Sequence, residues 1–80
     1  MSRDRASLWQ EFGAPNDQLG SVNEPRTCEE HGVVWNEKWI YRGETGQAVE
    51  RIVLFNRYDF VGVFRILPDG SAEAELLPES

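Results

Sequence analysis

The chain has 80 residues, 40% of them hydrophobic and 28% charged, with a formal net charge of −6; this length and composition exclude several domains and an intrinsically disordered chain. The acidic charge disfavours nucleic acid as a partner, because it repels phosphate backbones, and a single cysteine excludes an internal disulfide. No apolar run follows residues 1–5, and the longest apolar stretch, residues 52–55, is far too short to span a membrane. We therefore expect one small soluble domain over residues 1–80, located in the cytoplasm and without a membrane partner.

The first predicted element is a short helix over about residues 4–12. Its apolar residues fall on one helical face: Leu8, Trp9 and Phe12. Gly13 suits the left-handed position that follows a helix, and Pro15 prevents its continuation. The spacing of Ser7 and Gln10 also fits a capping box, which would start the helix later.

Residues 14–31 are predicted to form a loop, because clusters of Pro, Asn, Asp and Gly favour turns throughout this segment. So long a loop is uncommon in a small domain. A short helical turn within it is the alternative, since Thr27 and Glu30 again have the spacing of a capping box.

Four strands are predicted after this loop, over about residues 33–42, 47–55, 60–67 and 71–77. These segments are rich in β-branched and aromatic residues and are separated by turn-forming residues. Alternatively, the first segment divides at Asn36 and Glu37 into two short strands. The predicted fold is α+β, with the N-terminal helix packed on one face of a four-stranded antiparallel β-meander.

The loop lengths predict a strand register. In that register Tyr41 lies opposite Val49, and a ladder of alternating charge crosses three strands as Glu50–Arg65–Glu73. A one-residue slip would move each of these side chains to the opposite face, so the alternation of charge supports the register.

This register divides the apolar side chains between two faces. The face under the helix is predicted to hold these residues: Val33, Trp35, Trp39, Tyr41, Val49, Val53, Phe55, Phe60, Phe64, Ile66, Ala72, Ala74 and Leu76. The opposite face has an apolar centre of Ile52, Leu54, Val61 and Val63 with an acidic rim. Such a patch on an exposed face favours contact with another protein. We therefore expect a non-enzymatic protein-interaction module that binds a protein partner or a second copy of itself through these four residues.

A second hypothesis is a small-ligand-binding protein that uses the aromatic side of the sheet. Its candidate residues are Trp35, Glu37, Trp39, Arg51 and Tyr58, since aromatic rings with interleaved charges can stack on a ligand. In the simpler interpretation the rings are core residues, and Glu37 forms an ion pair with Arg51.

Other chemistry is sparse in this sequence. Cys28 and His31 could supply half of a zinc site, but there is no second Cys or His to complete it, so we expect neither a metal nor another cofactor. Phosphate-binding loops and catalytic triads are absent, so we expect no enzyme. Size and acidity alone suggest a third hypothesis, an acidic inhibitor or immunity-type protein.

Overall fold

The computed structural model describes residues 4–44, 46 and 48–78, which form one short helix and two antiparallel sheets. The elements are α1 (Arg5–Phe12), β1 (Asp17–Gly20), β2 (Cys28–Glu30), β3 (Val33–Trp35), β4 (Glu37–Arg42), β5 (Val49–Asn56), β6 (Asp59–Ile66) and β7 (Ala72–Leu76). The larger sheet has the strand order β1-β4-β5-β6-β7, and β2 pairs with β3 in a separate hairpin. The predicted four-stranded meander is therefore corrected to a five-stranded sheet plus a two-stranded hairpin.

Local side-chain chemistry defines both ends of α1. Asp4 is the N-cap residue, and its carboxylate accepts a hydrogen bond of 2.8 Å from the backbone N–H of Ser7. The Ser7 hydroxyl in turn accepts from the backbone N–H of Asp4, which completes a capping box. The hydrogen bond from the Ser7 backbone N–H to the carboxylate is the largest cause of a lowered pKa of Asp4. Ser7 is thus the last residue of the box, at position N3, whereas the alternative helix start placed it first. Gly13 ends the helix with φ of +81°, and its N–H donates to the Trp9 carbonyl.

Two strands lie within the segment predicted to be a loop. All four residues of β1 are exposed, so β1 has no alternating burial and is held by backbone pairing with β4. In the β2–β3 hairpin, Cys28 lies opposite Trp35 and Glu30 lies opposite Val33. The turn residues His31 and Gly32 have φ of +54° and +82°, as a tight two-residue hairpin turn requires. The helical turn suggested for this region is therefore wrong.

The first predicted segment divides at Asn36, as its alternative interpretation had it. Asn36 is buried. The NH₂ of its side chain donates to the backbone carbonyls of Val22 and Glu24, and its side-chain oxygen Oδ1 accepts from the backbone N–H of Arg57. One side chain thus joins the strand break to two loops. Gly20 packs so tightly here that a Cβ atom added to it would lie 2.0 Å from the backbone carbonyl oxygen of Asn36.

The strand register differs from the prediction where β-bulges intervene. Between β4 and β5, a bulge at Tyr41/Arg42 and a loop that closes between Gly43 and Ala48 place Tyr41 opposite Arg51. Between β5 and β6, a bulge after Leu54 shifts the pairing by one residue. Arg51 therefore lies opposite Arg65, and the predicted Glu50–Arg65 pair is wrong.

Between β6 and β7 the predicted pairs are confirmed, with Arg65 opposite Glu73 and Phe64 opposite Ala74, whereas a bulge beyond them places Val63 opposite Leu76. The hairpin loop explains why. Gly70 takes φ of +89°, and the Leu67 N–H donates to the Ser71 carbonyl at 2.9 Å. Asp69 accepts hydrogen bonds from the Ser71 hydroxyl and N–H, and these bonds lower the pKa of Asp69. The turn is thus specified by residues next to one another in the chain.

The sheet buries apolar side chains on both faces, which we call the helix face and the hairpin face. The helix-face core consists of Leu8, Trp39, Tyr41, Val53, Phe55, Phe60 and Val63. The hairpin-face core consists of Trp35, Ile40, Ile52, Leu54 and Phe64, with Val33, Val49, Val61, Ile66 and Ala72 packed against it. The helix thus covers one core and the β2–β3 hairpin covers the other. The predicted face is wrong for Val63, which lies in the helix-face core, and for six residues predicted under the helix that lie on the hairpin face: Val33, Trp35, Val49, Phe64, Ile66 and Ala72. The face of a side chain reverses with each one-residue shift in register.

Candidate functional site

The four residues predicted to form an exposed interface lie inside the fold. Ile52 is 2% exposed, Leu54 and Val63 are fully buried, and Val61 is partly buried. Ile52, Leu54 and Val61 belong to the hairpin-face core, whereas Val63 belongs to the helix-face core. The expected exposed patch is therefore absent at these positions, because the β2–β3 hairpin covers the first three residues and Val63 lies on the helix face.

The five residues of the ligand-binding hypothesis are spread over the molecule. Trp35 is buried in the hairpin-face core, and Tyr58 is 67% exposed in the turn between β5 and β6. Arg51 binds the Glu75 carboxylate through two hydrogen bonds of 2.9 Å and lies over the ring of Phe12. Only Glu37 and Trp39 lie together, joined by a hydrogen bond of 3.0 Å from the indole N–H.

Glu37 is the buried acidic side chain of the helix face, and its cationic partner is Arg5, not Arg51. Both carboxylate oxygens of Glu37 accept hydrogen bonds from the Arg5 guanidinium. That guanidinium also lies 5.4 Å from the ring centroid of Trp39 and 5.0 Å from that of Phe55. Glu37 is 3% exposed and Arg5 is 38% exposed. This cluster therefore anchors α1 to the sheet at its first residue.

A shallow groove of about 430 Å³ lies beside this anchor and is lined by Arg5, Ala6, Trp9, Gln10 and Trp39. Trp9 is 41% exposed and packs edge-on against Trp39, with ring centroids 5.4 Å apart. The charged group that lines the groove, Arg5, is already bound by Glu37, so the groove offers a ligand little beyond aromatic surface.

A second groove of about 580 Å³ lies at the end of the sheet and is lined by residues 48–51, 65–68 and 70. Arg51 and Arg65 are adjacent there, since they lie opposite each other in the sheet. Glu50 also lines the groove, and Glu75 binds Arg51. These carboxylates offset the two guanidinium charges, so the groove has no net positive charge that would favour an anion.

Cys28 and His31 lie on the β2–β3 hairpin. Cys28 is exposed, and the His31 ring packs 5.1 Å from the ring of Phe64, centroid to centroid. Within residues 4–44, 46 and 48–78, no three His, Cys, Asp or Glu side chains come together as a metal site. The helix in this part of the chain lacks the length and apolar character needed to cross a membrane.

One edge of the larger sheet is open at β7. This strand pairs with β6 on one side, and none of the described residues pairs with its other side. Leu67 and Ser71 form a hydrogen-bonded pair, because the Leu67 N–H donates to the Ser71 carbonyl. Such pairs recur at every second residue of an antiparallel ladder, so Glu73 also directs its backbone N–H and C=O toward its partner Arg65. The backbone N–H and C=O groups of Ala72 and Ala74 therefore point away from the sheet.

The side chains along β7 alternate in character. Ala72 and Ala74 are the smallest side chains that a strand can carry apart from glycine, so they leave the outward backbone groups accessible; Ala74 is itself exposed. Glu73 is exposed and lies opposite Arg65, while Glu75 binds Arg51. The edge thus presents four unpaired backbone groups beside two carboxylates.

The opposite edge of the sheet, β1, is shorter. It ends at Gly20, whose φ of +71° turns the chain away from the strand direction. At its other end the Asp17 carboxylate forms an ion pair of 2.9 Å with Arg42. Of the two edges, β7 is therefore the more suitable for pairing with another chain.

Comparison with known proteins found no family model, no curated protein and no solved structure that matches this chain.

The sequence indicated part of the β7 edge and missed the rest. The strand itself and the Arg65–Glu73 pair follow from the hairpin loop. The predicted meander also ends at this strand, so it places residues 71–77 at one edge of the sheet. The pattern of residues 17–20 gives no signal that β1 adds to β4 at the other edge. Arg5 was missed because its partner Glu37 lies 32 positions away.

Proposed function

We propose that this protein is a non-enzymatic protein-interaction module of the cytoplasm that binds an extended segment of a protein partner as an additional strand along β7. The observation that carries the proposal is the open edge, where the N–H and C=O groups of Ala72 and Ala74 point outward and no described residue pairs with them. An extended segment placed there would satisfy these groups and continue the sheet.

Charge favours a different protein over a second copy as the occupant. If β7 of one copy paired with β7 of another, Glu73 and Glu75 would approach the same residues of the second copy. Like charges on adjacent strands are destabilising, and the net charge of −6 adds to the repulsion. The same carboxylates protect the edge against unspecific self-pairing.

The proposal is tested by selection of peptides from a phage-displayed library of random dodecapeptides, followed by affinity measurement on variants. Ala74→Pro removes one outward N–H and leaves the bonds between β6 and β7 in place. Ala74→Val keeps the N–H and serves as the matched control. We expect the selected peptides to lose about tenfold or more in affinity for Ala74→Pro and to retain it for Ala74→Val.

Slower amide exchange at Ala72 and Ala74 on addition of a selected peptide would place the peptide at β7. Urea unfolding of each variant shows whether its fold is retained. Failure to enrich any peptide, or enriched peptides that bind Ala74→Pro as tightly as the unmodified protein, would refute the proposal.

A further inference from the structure

The side chains that flank the open backbone groups of β7 define what kind of strand fits there. Glu73 and Glu75 lie on the helix face of β7, and Ala72 and Ala74 lie on its hairpin face. Beyond Ala74 a bulge places Leu76 opposite Val63, on the helix face as well. Successive side chains of an added strand point to opposite faces, so along the regular part of β7 they would meet Ala72, Glu73 and Ala74 in turn.

On the helix face, the local charges leave a place for a cation. Glu75 is bound by Arg51 through two hydrogen bonds. Glu73 lies opposite Arg65 in the register, yet no ion pair within 4.0 Å joins these two side chains. Residues 68–78 contain Asp69, Glu73 and Glu75 and no Lys or Arg, so this end of the chain is uniformly acidic. A basic side chain from an added strand would lie beside Glu73 as its direct cross-strand partner.

On the hairpin face, the added strand would find apolar surface. Ala72 packs against the hairpin-face core, Ala74 is exposed, and Leu77, directly after β7, is 57% exposed. Alanine side chains leave room beside them for a larger neighbour, which would cover them and extend the core. Apolar side chains are therefore preferred at the positions between the basic ones.

We infer that the partner segment is an extended strand in which basic residues alternate with large apolar residues, with a basic one beside Glu73 and apolar ones beside Ala72 and Ala74. This inference rests on the proposed function, because it specifies the chemistry of the segment bound at the same edge.

The experiment compares three blocked heptapeptides that can be titrated onto the full chain. One alternates lysine with valine, one alternates threonine with valine, and one has the lysine–valine composition with its lysines grouped at one end. Binding is measured by fluorescence anisotropy at 50 mM and 200 mM salt. The position of the bound peptide is identified from shifts of the NMR amide signals of Ala72 and Ala74. We expect the alternating lysine peptide to bind at β7 about tenfold more tightly than either of the others, with affinity falling as salt rises.

Two charge-reversal variants separate a local effect from the effect of net charge. Glu73→Lys reverses the charge at β7, whereas Glu29→Lys makes the same change on the exposed strand β2. We expect Glu73→Lys to weaken the alternating lysine peptide about tenfold and Glu29→Lys to weaken it less than about twofold. A peptide that alternates glutamate with valine should bind Glu73→Lys more tightly than it binds the unmodified protein.

The outcomes distinguish this inference from the proposed function. If the threonine peptide binds at β7 as tightly as the lysine peptide, the edge is a binding site but its preference for basic strands is refuted. If Glu73→Lys and Glu29→Lys weaken binding equally, the attraction is that of net charge and the inference is also refuted. If none of the three peptides binds while library-selected peptides do, the inference fails alone; if no peptide of either kind binds, both fail.

Discussion

The anchor between Arg5 and Glu37 gives the sharpest test of how the helix is held on the sheet. In Arg5→Ala, the buried Glu37 carboxylate loses both guanidinium hydrogen bonds and keeps only the Trp39 indole donor. Removing one partner of a buried ion pair costs about 3–5 kcal/mol. Arg5 is 38% exposed, so water can reach part of the vacated space, and we expect the lower end of that range, about 3 kcal/mol.

The assay is urea unfolding at pH 7, followed by tryptophan fluorescence and far-ultraviolet circular dichroism. Domains of this size have roughly 4–12 kcal/mol of stability, so a loss of this size remains measurable. Glu37→Gln alone should cost about 2 kcal/mol, since an amide cannot accept both guanidinium bonds. The double variant should be only slightly less stable than Arg5→Ala, the less stable of the two single variants, because no buried charge is left unpaired in it.

An exposed ion pair provides the control. Asp17→Asn removes a carboxylate that is half-exposed and bound to Arg42, and we expect a loss below about 1 kcal/mol. A coupling energy below about 0.5 kcal/mol between Arg5→Ala and Glu37→Gln would refute the reasoning, since it would mean that the two groups do not depend on each other in solution.

Three further substitutions test other contacts by the same unfolding assay. Tyr41→Phe removes the hydroxyl bond of 2.8 Å to the Gly13 carbonyl and should cost about 1 kcal/mol at pH 7. Burial raises the pKa of Tyr41 above its ordinary value, so the folded state favours the neutral phenol and stability should fall as the pH rises above about 10; Tyr41→Phe should remove this fall. Gly20→Ala, with its Cβ against the Asn36 carbonyl, should cost about 3 kcal/mol or more, whereas Gly70→Ala, also at positive φ but in open space, should cost about 1 kcal/mol; equal losses would contradict the close contact. Asn36→Ala leaves three backbone groups, the carbonyls of Val22 and Glu24 and the N–H of Arg57, without their partner and should cost about 2–3 kcal/mol; a loss below about 0.5 kcal/mol would contradict that role.

The features that the sequence determined by itself are those built from neighbouring residues. Gly13 marks the end of the helix, and the loop Pro68-Asp69-Gly70 determines the β6–β7 register, including the pair of Arg65 with Glu73. In each case the dihedral angles and hydrogen bonds that define the feature lie within four residues. The β-branched and aromatic segments also indicated most of the sheet.

The tertiary structure alone decided which residues meet across the fold. A bulge adds one residue to a strand without any mark in the alternation of apolar side chains, so the bulge after Leu54 reversed the predicted faces of Val63 and Phe64. The strands β1 and β2 are short and mostly exposed. They form because a neighbouring strand offers backbone partners, so they depend on where these residues lie in the fold and not on which amino acids they are. For the same reason, the expected exposed face is a second core, and the edge of the predicted meander at β4 is covered by β1, which leaves β7 as the longer of the two edges of the sheet.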